Sequence, residues 1–278
     1  QYLLLLHRWP NLENPVRFSE WIQWYKMKYR NPDMLRCVDK YDVRNYLKEK
    51  GCREYVNRLY QVCDKAEEID FEKLPDKFVI KTTSGGSGDN VVIVMDKAAL
   101  CLSDTVATVN CWLRKNYSDT SREWAYSEAA RHPKIIVEEY LENTDQSLDD
   151  YKFYCFKGKF KFLCVDKDRY FNHRRAFFDE NLLFLPSVRS IFEVADNIPV
   201  LPENIKEMIT LSEYLSRDFP FVRVDLYNVC GRIIFGELTF YPGSGYSRYY
   251  PDDFDHTLGR HFPSKNDEIW TRYMHVGK

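Results

Sequence analysis

The sequence predicts an α+β fold, and three observations carry that prediction. Aromatic residues recur at helical spacing through the first 70 residues. Short apolar runs separated by Gly-containing turns take over from Pro75. Beyond them, hairpins and helical stretches are mixed, without an internal repeat or a low-complexity linker.

Residues 11–70 read as helical. Phe18, Trp21, Ile22, Tyr25 and Tyr29 form one stripe, which packs on the body of the protein as amphipathic helices do; a membrane surface is the alternative contact. Pro32 interrupts, and a second helix over about 40–50 stops at Gly51. Phe78 to Lys81 and Val91 to Met95 make a hairpin whose tip is unusually rich in glycine. A helix over 98–116 follows, then a short strand at 135–137 and a hairpin over 151–165 turning at Lys157-Gly158. Residues 203–217 read as a helix, and 221–226 with 233–240 as a last hairpin.

Composition excludes several classes. With 18 Phe, 20 Tyr and 6 Trp the chain buries a core and is not disordered; 278 residues suit one large domain or two small ones. Forty Lys+Arg against 42 Asp+Glu lack the basic excess of a nucleic-acid binder. The run Leu3 to Leu6, ended by Trp9-Pro10, falls far short of the ~20 apolar residues of a membrane span, and no signal-peptide pattern is present. The start at Gln1 without Met reads as a trimmed chain or an excised domain. Eight cysteines without a CxxC pair or zinc-finger spacing read as free thiols in a reducing compartment, with no structural metal.

Two constellations carry chemistry. The first is the Gly-rich tip, Ser84, Gly85, Gly86, Ser87 and Gly88, with Lys81 on the strand that feeds it. Backbone N–H groups of such a loop approach an anion closely, and the lysine reaches the same oxygens; a mobile tip beside a solvated lysine is the plainer reading. The loop is neither a Walker A sequence nor a dinucleotide fingerprint. The second is the last hairpin. A three-residue loop at Val229-Cys230-Gly231 would place Arg223 opposite Glu237 and Asp225 opposite Phe235. Arg223, Asp225 and Glu237 then share a face, with the carboxylates diagonal at roughly 7–8 Å, suited to Mg²⁺ held together with substrate phosphates. An exposed Arg–Glu pair is the plainer reading. The tight turn Tyr241-Pro242-Gly243-Ser244-Gly245 follows, and either reverses the chain or offers N–H groups to a substrate carboxylate.

Together these pieces resemble an ATP-grasp enzyme, and most closely the TupA-like ATP-grasp family of polysaccharide and teichuronopeptide biosynthesis. The resemblance covers about 14–245. It is carried by Val38-Asp39-Lys40-Tyr41, the block 74–90, Asp150-Tyr151-Lys152-Phe153, Val165-Asp166-Lys167-Asp168-Arg169, Arg223-Val224-Asp225 and Gly236-Glu237-Leu238-Thr239-Phe240-Tyr241-Pro242-Gly243. The hairpin block also resembles its counterpart in D-alanine–D-alanine ligase.

The resemblance implies two α+β subdomains clamping ATP, with a helical segment at 1–70, the phosphate-covering hairpin in 71–137, and the metal and acceptor site in 138–278. It implies that Lys40 and Lys81 contact phosphates under the loop at 84–88. Glu138, Glu139, Tyr140 and Leu141 form the adenine hinge, through the backbone of Glu139 and Leu141. Asp150, with Asp149 as the alternative, holds the ribose. Asp225 and Glu237 ligate Mg²⁺. Thr239 is the third ligand, a neutral oxygen where the superfamily usually carries Asn. Arg223 stabilises the oxyanion. Asp166, Arg169, Arg175 and Ser244 are the substrate candidates, in a basic region suited to a uronic acid or other sugar carboxylate.

The implied activity is that of a cytoplasmic carboxylate–amine ligase, placed beside a membrane-bound polysaccharide assembly system. Its substrates are ATP, a carboxylate-bearing sugar or glycan, and an amine donor. The alternatives are a glycosyltransferase, for which Asp166-Lys167-Asp168 has DxD spacing but follows the wrong elements, and a kinase or non-catalytic nucleotide-binding module.

Overall fold

The computed structural model describes residues 1–85, 90–114, 123–143, 148–167, 173–194 and 198–275. The chain forms two compact units, Pro32–Leu141 and Gln1–Asn31 with Glu142–Lys278. It opens with α1 (Tyr2–Leu6) and α2 (Phe18–Lys28). It then passes through α3 (Asp33–Val38), α4 (Asp42–Glu49), β1 (Leu59–Cys63), β2 (Phe78–Thr82), β3 (Val91–Val94), α5 (Leu102–Arg114), α6 (Trp124–Ala129) and β4 (Ile135–Glu139). Its last part holds β5 (Asp150–Phe156), β6 (Lys159–Lys167), β7 (Arg174–Phe178), β8 (Glu193–Val194), α7 (Ile205–Ser216), β9 (Phe221–Val229), β10 (Arg232–Thr239), α8 (Asp253–Gly259) and α9 (Glu268–Thr271).

In the unit Pro32–Leu141, an antiparallel sheet runs in the order β1-β4-β2-β3. Strand alternation gives its faces different work. Phe78, Ile80, Ile135 and Val137 pack with Ala66, Leu74 and Val109 of α5 into an apolar cluster. Lys81 and Glu138 belong to the opposite alternation. Helix α4 buries Val43, Tyr46 and Leu47 at helical spacing and is followed by Gly51 at φ 73°. The expected helical block is corrected here: Leu59–Cys63 is a strand. Its run Leu-Tyr-Gln-Val-Cys mixes aromatic and β-branched residues, and it gains its ladder by pairing with β4.

The other unit is built on a six-stranded sheet in the order β10-β9-β5-β6-β7-β8, antiparallel except where β7 meets β8. The β5–β6 hairpin turns at Lys157-Gly158, both at positive φ, as the sequence predicts. Helix α7 covers one face through contacts with β5, β6 and β9. On the opposite face Phe18 of α2 meets Phe221 at 5.1 Å and Tyr154 at 6.0 Å, while Trp21 stacks on Phe262 at 5.1 Å. The aromatic stripe of α2 is therefore a core surface. The same packing takes α2 out of the helical segment expected over 1–70 and joins it to the C-terminal strands. Contacts some 200 residues apart in sequence decide this, and no local pattern encodes them.

Candidate functional site

Within Pro32–Leu141, the basic residues singled out by the sequence lie around the entry to the Gly-rich loop. Lys40 donates from Nζ to the Gly85 carbonyl at 2.7 Å, and its backbone N–H donates to Thr83 at 3.2 Å. Thr82 Oγ1 donates to the Ser84 carbonyl at 2.8 Å and accepts from Asn90 Nδ2 at 3.0 Å, so both flanks of the loop are latched to one hydroxyl. Gly85 sits at φ 103°, and a Cβ there would lie 2.6 Å from Asn90 Nδ2. Gly86, Ser87 and Gly88 fall outside the described residues.

Lys81 Nζ donates to Glu138 at 2.8 Å, and Arg44 of α4 donates to the other oxygen of the same carboxylate at 2.9 Å. Along the expected hinge, the Glu139 N–H donates to Arg58 and its carbonyl accepts from Asn57 Nδ2, each at 2.9 Å. Both backbone groups of Glu139 are thus engaged within the unit, where the sequence reading placed an adenine contact. The Tyr140 ring receives Lys77 Nζ at 5.7 Å, and Leu141 is half-buried.

The six-stranded sheet carries a second constellation. Register puts Asp150 opposite Asp166 and Tyr227, Lys152 opposite Asp225, and Asp166 opposite Arg175, all on one face. Lys152 is nearly inaccessible. It donates to Asp150 and, at 3.0 Å, to Asp225, and stands 3.7 Å from Asp166. Asp166 accepts from Arg175 at 2.5 and 2.8 Å, and His173 Nε2 lies 3.1 Å away. Arg175 also donates to Ser190 at 3.3 Å and stacks over Phe192 at 4.5 Å. On β9, Arg223 grips Asp225 bidentately at 2.7 and 2.6 Å, and reaches Glu237 at 3.3 Å and Thr239 Oγ1 at 3.1 Å.

Four carboxylates thus share the face with Lys152, Arg175 and Arg223, and their electrostatics diverge. Burial alone would raise Asp166, but His173, Arg175 and Lys152 outweigh it and hold its carboxyl well below the usual range. Asp225 goes the other way. Burial, with Asp150 and Glu237 nearby, pushes it up to about 6 against the opposing pull of Arg223 and Lys152. For Lys152, burial favours the neutral amine, but Asp150 and Asp225 prevail and keep it charged.

The last hairpin differs from the expected geometry in two compensating ways. Its turn holds two residues, not three: Cys230 at φ 51° and Gly231 at φ 84°, between the paired Val229 and Arg232. A bulge at Gly236 then shifts the register, so that Glu237 faces Asp225 directly and Thr239 faces Arg223. Arg223, Asp225, Glu237 and Thr239 still share one face, but the carboxylates are opposed and not diagonal. A Cβ at Gly236 would lie 3.0 Å from the Asp225 carbonyl and 3.2 Å from the Tyr227 ring. Gly236→Ala is therefore expected to destabilise the protein by about 1–3 kcal/mol through overpacking, read as a lowered thermal midpoint; an unchanged midpoint would mean the bulge relaxes freely.

The residues fit Mg²⁺. Their donors are hard oxygens, and a cation beside Asp225 would offset the burial, and the neighbouring Asp150 and Glu237, that push its carboxyl up. No group of three or more acidic, His or Cys side chains is arranged to hold a metal alone among the described residues. Two carboxylates completed by substrate phosphates is the usual arrangement for Mg²⁺. Asp225 and Glu237 would hold the ion, with Thr239 Oγ1 alongside.

Beyond β10, Gly243, Ser244 and Gly245 turn at φ 54°, 54° and 70°. The Ser244 carbonyl accepts from Gln23 Nε2 at 2.9 Å and from Lys26 Nζ at 2.8 Å, so α2 fixes the turn that carries this substrate candidate. Arg169 falls outside the described residues. Sequence reasoning missed Arg44, Lys152, Gln23 and Lys26 as site components. A signal existed for Lys152: it shares strand parity with Asp150 in an otherwise apolar run.

None of the curated proteins compared matches the chain. Among solved structures, D-alanine–D-alanine ligase from Bacillus anthracis is 21% identical, aligned over 85% of this chain and 67% of that one, with a TM-score of 0.50. The corresponding ligase from Helicobacter pylori is 16% identical over 88% and 68%, at TM-score 0.48. D-cycloserine synthetase DcsG is 14% identical over 81% and 69%, at TM-score 0.46. The chain spans about two thirds of each, and the first shows a shared fold. The family model described as TupA-like ATPgrasp matches residues 20–263, a span that takes in both lysines, the Gly-rich loop and the β9–β10 carboxylates. The chain belongs to the TupA-like ATP-grasp family.

Proposed function

We propose that the protein is an ATP- and Mg²⁺-dependent carboxylate–amine ligase. The observation that carries this reading is the β9–β10 face, where Asp225 and Glu237 are opposed and Arg223 bonds to both. The carboxylate oxygen of the acceptor attacks the γ-phosphorus of ATP, the bond to the bridging oxygen breaks, and ADP leaves. An amine then attacks the carbonyl carbon of the acyl phosphate. Inorganic phosphate departs, the nitrogen loses a proton, and an amide results.

Lys40 and Lys81 bind phosphate oxygens, and Arg223 stabilises the oxyanion of the amine-addition step. Bound Mg²⁺ would neutralise the transferring phosphoryl group. Residues 84–88 cover the phosphates, and Asp150 holds the ribose. The acid is a uronic acid of a surface polysaccharide or of its sugar-nucleotide precursor, and the amine an amino acid or amino alcohol. Asp166, Arg169, Arg175 and Ser244 stand on the acceptor side. No helix among the described residues is long and apolar enough to cross a membrane. The reaction belongs in the cytoplasm, where ATP is supplied, beside a polysaccharide assembly system.

A non-hydrolysable ATP analogue with Mg²⁺, at a hundred times its Kd, should stabilise the fold by about 2.7 kcal/mol in thermal unfolding. ADP release should then require both a carboxylate and an amine in a screen of uronic acids against amino acids and amino alcohols. ADP release without an amine would favour a kinase. Stabilisation by UDP-sugars and not by the ATP analogue would favour a glycosyltransferase.

A further inference from the structure

The buried carboxylate of Glu138 faces two cations, and only one of them has a role in the reading above. Lys81 comes from β2 on a flexible stem and its side chain is 29% exposed. Arg44 comes from α4, is 17% exposed, and also donates to the Asn57 carbonyl. The Asn57 side chain in turn holds the Glu139 carbonyl at 2.9 Å. Arg44 is therefore fixed by two acceptors, whereas Glu138 is the acceptor shown for the Lys81 amine.

We propose that Arg44 is a positioning residue for nucleotide binding: it is the permanent counter-charge of Glu138, and so frees Lys81 for the phosphates. The inference rests on the reading of Lys81 as a phosphate-binding lysine. A buried carboxylate needs a cation, and removing one partner of such a pair strands the other. With Arg44 in place, Lys81 exchanges Glu138 for a polyphosphate and leaves Glu138 paired. Without Arg44 the same exchange abandons a buried charge, and Lys81 stays on Glu138. Arginine suits the fixed role, since it is always charged and bonds in a rigid fork; lysine suits the mobile one.

The test is calorimetric titration of AMPPNP with Mg²⁺ into wild type and variants, with thermal unfolding as a check on folding. Arg44→Gln keeps a donor for Asn57 but no charge, and should weaken binding about tenfold, as should Lys81→Met. The two together should be no weaker than Lys81→Met alone, because both losses act through one contact. Arg44→Lys, which keeps the charge, should bind within about threefold of wild type. Adding Glu138→Gln to Arg44→Gln should recover most of the affinity, since no carboxylate then retains Lys81; a merely structural role for Arg44 predicts no such recovery. Wild-type affinity in folded Arg44→Gln, additive losses, or absent recovery would each overturn the proposal. Should Arg44→Gln fail to fold, the neutral Arg44→Gln/Glu138→Gln protein decides: near-wild-type binding supports the role, and a loss equal to Lys81→Met overturns it. Failure of the wild type to bind AMPPNP would instead overturn the nucleotide reading itself, and the Arg44 role with it.

Discussion

Glu237→Gln is expected to cut ADP release by more than about a hundredfold while leaving thermal stability of the unliganded protein unchanged. The two halves of this expectation have separate causes. Glu237 is half-exposed, with a side chain 49% accessible, so its loss strands no buried charge. Glutamine keeps the volume and an acceptor for Thr239 Oγ1, which donates to Glu237 at 2.7 Å. What disappears is one negative charge opposite Asp225, at the place proposed for Mg²⁺. The Mg²⁺ dependence of AMPPNP binding should shift to higher Mg²⁺ concentration, and raised Mg²⁺ should restore part of the turnover by mass action. A Glu237→Gln protein that turns over like wild type, with the same Mg²⁺ requirement, would remove Glu237 from the metal site.

That site was legible in sequence to an uneven degree. The shared face of Arg223 and Asp225 follows from strand parity alone. Glu237 joins it only for certain loop lengths, a four-residue loop placing it on the opposite face, and the pairing across the hairpin does not follow from the sequence. A three-residue loop without a bulge and a two-residue loop with a bulge at Gly236 both put Glu237 on the right face. Gly236 was the available clue, because glycine inside a strand marks a bulge or a close approach. Lys152 was harder to place. Its partners Asp166 and Asp225 lie 14 and 73 residues away in sequence, and only the sheet order β9-β5-β6 brings them together. The same holds for α2. Its aromatic stripe is plain in the sequence, but that it packs on Phe221 and fixes the turn at Ser244 depends on contacts about 200 residues apart. Local propensity names the elements; the long-range pairing that builds the site has no local signature.

The buried lysine also sets the largest expected effect on stability. Lys152→Met preserves length and apolar volume but removes the positive charge that Asp150, Asp166 and Asp225 surround. Breaking a buried pair from one side costs about 3–5 kcal/mol, since the opposite charges remain without their partner. Arg223 and Arg175 cannot cover the loss, because each is already committed, Arg223 to Asp225 and Arg175 to Asp166. The deficit should depend on pH with a definite sign. In the wild type the Asp225 carboxyl is already pushed up to about 6, and losing a cation raises it further. A carboxyl raised on folding takes up a proton at low pH, so its contribution to stability is present below its unfolded value and is lost as pH climbs through the folded one. Lys152→Met should therefore fall furthest behind wild type at neutral pH and less far near pH 5. Lys152→Met/Asp150→Asn, which neutralises the carboxylate beside the lost amine and leaves the Arg223–Asp225 and Arg175–Asp166 pairs intact, should regain at least about 1 kcal/mol at neutral pH. Denaturant unfolding at the two pH values reads all three quantities. A Lys152→Met protein within about 1 kcal/mol of wild type, with no pH dependence in the difference, would show that the cluster balances its charges without the lysine.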